Sequence, residues 1–76
     1  MLYGSDTING LRQLREQHML TQREVAERAH LTITTLSRIE NGKVKPSLST
    51  IRNLAKVFEI SPQDMRRIIM TGQLPL

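Results

Sequence analysis

The apolar positions of this chain recur at intervals of three and four, the repeat of helices with one buried face. Ile8, Leu11 and Leu14 predict a first helix over roughly residues 7–18, capped by Ser5 or Asp6. A second begins at "LTQRE", where Thr21 is the cap, Glu24 closes a capping box and Leu20 staples onto Val25. A third begins at Thr32, with Leu31 and Leu36 as its staple, and stops at Gly42, where a left-handed residue is expected. Pro46 bars helix at Lys45, and a fourth helix after Ser47 is expected to turn Leu48, Ile51, Leu54, Ala55 and Phe58 inward. The fifth starts at "SPQD", with Ser61 as cap, Pro62 at the favoured first position and Asp64 completing the box. Ile60 and Met65 are its staple, and Gly72 marks its stop.

One stretch resists the helical pattern. "LTITTL", residues 31–36, alternates apolar and polar and is largely β-branched, as a strand would be. The "SRIENG" that follows ends as a helix does, and Leu31 and Leu36 hold staple positions around the Thr32 cap. Two unrelated causes therefore alternate. Ile33, Thr34 and Thr35 lie in a helix although each is a poor helix former by roughly a few tenths of a kcal/mol. The expected architecture is all-α, a five-helix domain over residues 1–76 with short connections and a tail at 71–76.

Charge narrows the partner. Eleven Lys and Arg against seven Asp and Glu give a formal net charge of +4 and a pI near 10.4, the electrostatic footprint of a nucleic-acid binder. Tyr3 and Phe58 are the only aromatics, too few for the base-stacking platforms of single-strand and RNA binders, so a duplex is the expected acidic partner. There is no cysteine to make a disulfide or a thiolate metal site. The N-terminus lacks the basic flank and apolar run of a signal peptide, and no stretch approaches the roughly 20 apolar residues of a membrane span. A cytoplasmic protein with no membrane partner is expected.

Residues 22–41 carry the functional signal. They form two helices joined by a three-residue turn, with Val25, Ala29, Leu31, Leu36 and Ile39 on the shared underside and small Ala26 at the crossing. That leaves one face of the second helix free of core duty, holding Thr32, Ile33, Thr34, Ser37, Arg38 and Asn41.

The pieces "LTQREVA", "SRIENGK" and "PSLSTIRNLAKVFEIS", in that order and spacing, make the chain resemble the helix-turn-helix family of phage repressor and Cro proteins, the lambda-repressor-like fold, from about Ile8 to Ile69. The resemblance implies a five-helix domain whose third helix lies in the DNA major groove. It implies base-reading roles for Ile33, Thr34, Ser37 and Arg38, with Thr32 at the helix lip. Such roles suit the chemistry, because arginine can fork onto guanine while threonine and isoleucine offer methyl groups to thymine. Gln22, at the start of the second helix, is implied to meet a phosphate, as are Asn41, Lys43 and Lys45, and the amides near Ser47 and Ser49. Arg15 and Glu40 stand where the family often places a buried ion pair. His30 stands in the turn where family members usually have glycine, which predicts a left-handed histidine.

Other chemistries find little support. His18 and His30 lie on different elements without clustered carboxylates, so no metal or cofactor is expected, and no histidine and acid are placed to activate a serine. The chain is not expected to be an enzyme. Met65, Ile68, Ile69, Met70, Leu74 and Leu76 form an apolar cluster richer than a five-helix core obviously requires, read either as part of that core or, in the sharper reading, as a homodimer interface. Two recognition helices would then read a pseudo-palindromic operator, as in a transcriptional regulator, a repressor in the favoured case. The alternative is an antitoxin-like interaction module that binds a partner protein.

Overall fold

Hydroxyl side chains open four of the five helices in residues 10–72, the part of the chain described by the structure, a computed structural model. The helices are α1 (Gly10–Gln17), α2 (Gln22–Ala29), α3 (Ile33–Glu40), α4 (Leu48–Phe58) and α5 (Pro62–Thr71). Thr21, Thr32, Ser47 and Ser61 each accept the backbone N–H three residues on, at Glu24, Thr35, Thr50 and Asp64. At α2 the box is complete, since Thr21 N–H donates back to Glu24 Oε1 at 2.8 Å. The proposed caps Ser5 and Asp6, Ile8, and the tail residues Leu74 and Leu76 lie outside the described residues.

The ends follow a rule of their own. Three helices are closed by a left-handed residue that is not glycine: Met19, His30 and Glu59, at φ of 56°, 61° and 57°. Each is followed by an apolar residue, Leu20, Leu31 or Ile60, whose N–H reaches back to the carbonyl of Arg15, Ala26 or Ala55. That apolar side chain packs on the core, and a capping hydroxyl follows it. "MLT", "HLT" and "EIS" are thus one three-residue device, ending a helix, anchoring the turn and starting the next helix. At α3 the device changes. Gly42 takes the left-handed place at φ 72°, and exposed Lys43 replaces the apolar anchor, its N–H bonded to Arg38 O at 2.9 Å.

α4 packs on α2 and α5, while α1 leans on α5 and α3. Leu11, Val25, Leu36, Ile39, Leu54, Met65 and Ile68 are fully buried between them. α1 begins tight against the end of α5, where a Cβ on Gly10 would lie 2.9 Å from Ile68 Cγ2 and 3.0 Å from the Gly72 carbonyl oxygen.

Burial corrects one expectation and sorts the residues of another. Leu48 is 60% exposed, because the first turn of α4 projects beyond the core that Ile51, Leu54, Ala55 and Phe58 enter. The C-terminal cluster divides: Met65, Ile68 and Ile69 belong to the protomer's own core, spaced at three and four along α5 and with almost no surface to give a second copy. Met70 falls off that stripe and is 53% exposed. α5 runs through Thr71 to the expected stop at Gly72, so Thr71 belongs to the helix and not to the tail.

Candidate nucleic-acid interface

α3 carries a sharp contrast between its two sides. Leu36, Ile39 and Glu40 are buried, whereas Thr32, Ile33, Thr34, Arg38 and Asn41 are exposed and Ser37 is half-buried. The Thr32 hydroxyl accepts Thr35 N–H at 3.0 Å and donates to Thr35 Oγ1 at 2.9 Å, so its methyl group is what it has left to offer. Ile33 presents an apolar surface beside it, and Thr34 a hydroxyl and a methyl group. Among the described residues no carboxylate pairs with the Arg38 guanidinium, which leaves all five of its donors for a ligand. One turn on, Asn41 Nδ2 donates to Ser37 Oγ at 3.4 Å, a long bond that a better acceptor can replace.

Two helix starts lie near the end of α3, that of α2 sharing a groove with Asn41 and that of α4 following the loop at 41–47. The first amides of α2 and α4 have no intrahelical acceptor, and the positive end of each helix dipole lies there. At α4 the Ser47 hydroxyl is occupied with Thr50 N–H and with the hydroxyls of Ser49 and Thr50, at 3.1–3.3 Å. Main-chain N–H groups are therefore what this end offers an anion. Between α3 and α4, Lys43 and Lys45 are exposed on either side of Val44. At α2 the Glu24 carboxylate is held below its ordinary pKa, first by the Thr21 N–H it accepts and then by the Thr21 side chain.

Arg15 and Glu40 pair as a bidentate bridge, Nε to Oε2 at 2.6 Å and Nη2 to Oε1 at 3.2 Å. Gln22, read from the resemblance as a phosphate contact, also donates its Nε2 to Glu40 Oε1 at 3.0 Å. Gln22, Asn41, Arg12, Arg15, Thr21 and Glu40 line one open groove where α1, α2 and α3 meet. Lys45 lies elsewhere, on a second groove with Leu48, Ile51, Arg66 and Met70. Arg12 is a groove cation that the sequence reading passed over. Its signal was the arginine one turn before Arg15, and its bond to Glu16 at 3.3 Å is exposed and weak.

Among the described residues, no helix is long and apolar enough to cross a membrane, and no group of three His, Cys, Asp or Glu side chains is placed to hold a metal ion. A helix-turn-helix family model matches residues 11–65. The chain is similar to the HTH-type transcriptional regulator PuuR of Escherichia coli (strain K12), 43% identical over 51 residues, which are 67% of this chain and 28% of that protein. It is 34% identical over 55 residues to the HTH-type transcriptional regulator DdrOP3 of Deinococcus deserti, covering 72% of this chain and 43% of the other. To the HTH-type transcriptional activator BcrR of Enterococcus faecalis it is 31% identical over 55 residues, 72% of this chain and 27% of the relative. The chain thus spans less than half the length of each of these three relatives.

Proposed function

The chain belongs to the helix-turn-helix family, and on that premise we propose that it binds duplex DNA sequence-specifically as a transcriptional regulator, with α3 in the major groove. The observation that carries this reading is the outer face of α3, where Thr32, Ile33, Thr34 and Arg38 stay exposed while the inner face is fully buried. In the proposed complex, Arg38 forks onto a guanine edge and Ile33, Thr34 and Ser37 meet neighbouring bases. Lys43, Lys45, Asn41, Gln22 and the first amides of α4 near Ser47 and Ser49 grip phosphates and fix the register. Selection of bound sequences from random duplex DNA tests this directly. A defined consensus is expected, and recovery of unenriched sequences from a folded protein would refute it.

The proposal extends to a homodimer acting on a pseudo-palindromic operator in the cytoplasm, in the sense of repression. What supports the dimer is the second groove, where exposed Leu48 and Met70 border half-open Pro46 and the edges of Ile51 and Ile69, beside Lys45 and Arg66. It includes Lys45 of the loop that leaves α3, and the proposed two-fold axis lies there, with one recognition helix on either side. Their spacing should match one turn of DNA, roughly 34 Å. A consensus with two inverted half-sites is the expected signature, and a single asymmetric half-site would rule the dimer out. The same exposed patch is what an antitoxin-like module would offer a partner protein, and that reading predicts folded protein without duplex preference.

A further inference from the structure

Glu40 is the only charged residue buried among the described residues, at 5% exposure. It ends α3, yet what it holds belongs to α1 and α2. Arg15 meets both of its oxygens and passes Nη1 onward to the Leu20 carbonyl at 3.1 Å, so the guanidinium is fixed on two sides. That bridge alone satisfies the charge of Glu40. The bond from Gln22 Nε2 is additional, and it joins residues 18 apart in sequence.

A carboxylate can accept only from the nitrogen end of an amide, so it decides which way round Gln22 sits. It also fixes the amide plane, and with it the direction of the second Nε2 hydrogen. Gln22 is the first residue of α2, beside main-chain N–H groups that have no helical acceptor. We infer that Glu40 is a positioning residue for DNA binding, acting through Gln22 to hold its amide ready to donate to a duplex phosphate at the start of α2. This rests on the DNA-binding reading above and deepens it. The rotamer freedom of Gln22 is surrendered on folding and not on binding, which is how preorganisation strengthens a complex. Because Glu40 and Asn41 are adjacent, the same carboxylate sets the spacing between the α2 anchor and the backbone grip at the end of α3.

The test is a double-mutant cycle on affinity for the selected duplex at fixed salt. E40Q and Q22A are each expected to weaken binding about tenfold, and E40Q in the Q22A background by less than about twofold further. The charge that E40Q frees on Arg15 acts with or without Gln22 and so drops out of the cycle. A Glu40 that matters only for folding gives losses that multiply, and that outcome overturns the proposal while leaving DNA binding intact. Absence of duplex binding by the native chain overturns both. Where E40Q fails to fold, the native chain still decides by NMR. The Gln22 side-chain amide should be as ordered as the α2 backbone before DNA is added, and a freely rotating amide overturns the inference.

Discussion

Arg38 and Lys43 lie five residues apart, one on the exposed face of α3 and one just past the glycine that closes it. The roles proposed for them differ, and so should their failures. Arg38→Ala is expected to lose roughly 1–3 kcal/mol on the selected duplex and little on unrelated DNA, because a guanidinium fork discriminates between base edges. Lys43→Ala should weaken all duplexes alike and lower the salt dependence of log K by about one unit, because it releases one counterion. Competition binding across a salt series measures both, and an unchanged operator preference in Arg38→Ala removes that residue from readout. Gly10 shows the same logic in packing. Ala there puts a methyl group 2.9 Å from Ile68 Cγ2 and 3.0 Å from the Gly72 carbonyl, so a loss of about 1–3 kcal/mol by chemical denaturation is expected.

Between helices, the recurring turn device gives the clearest test. Met19, His30 and Glu59 hold left-handed backbone that a side chain disfavours by about 1 kcal/mol or more. Met19→Gly, His30→Gly and Glu59→Gly should therefore each stabilise by up to about 1 kcal/mol and add when combined, since they sit at separate junctions. A denaturation midpoint that falls in any of them would show a side chain holding its turn in a way the backbone does not reveal. Left-handed His30 was legible in sequence because the family pattern puts glycine there. Met19 and Glu59 share its "HLT"-like signature, but neither residue type advertises positive φ. The caps, by contrast, could be read directly: a hydroxyl with a bonding partner three residues on is a local signal, and α2 to α5 all begin on it. The box at α2 also has a pH signature. Glu24 is held below its ordinary pKa by the Thr21 N–H, so its contribution to stability is present above the unfolded-state value and lost as pH falls through the depressed one. Glu24→Gln should flatten that part of the acid-unfolding curve, and an unchanged curve would show that the Glu24 charge contributes nothing to it.

At the scale of the molecule, sequence periodicity identified the helices better than it identified their outer surfaces. Leu48 fits the inward spacing of Ile51, Leu54, Ala55 and Phe58, but it stands one turn before the neighbours that would cover it begin. Gln22 and Glu40 could not be paired from sequence, because their bond depends on how α2 and α3 cross. Among the described residues of the apolar C-terminal cluster, α5 turns Met65, Ile68 and Ile69 into the core stripe and Met70 outward. That division makes the last prediction specific. Met65→Ala should destabilise the fold by about 2–5 kcal/mol, since the side chain is completely buried. Met70→Asp should leave the denaturation midpoint nearly unchanged, because the position is half open. If Leu48 and Met70 form the dimer contact, Met70→Asp places two carboxylates near the two-fold axis and the protein sediments as a monomer. Binding to the full inverted-repeat operator should then fall steeply while binding to one half-site stays as it was. A Met70→Asp protein that remains dimeric moves the interface off this groove, and a native protein already monomeric at high concentration removes it altogether.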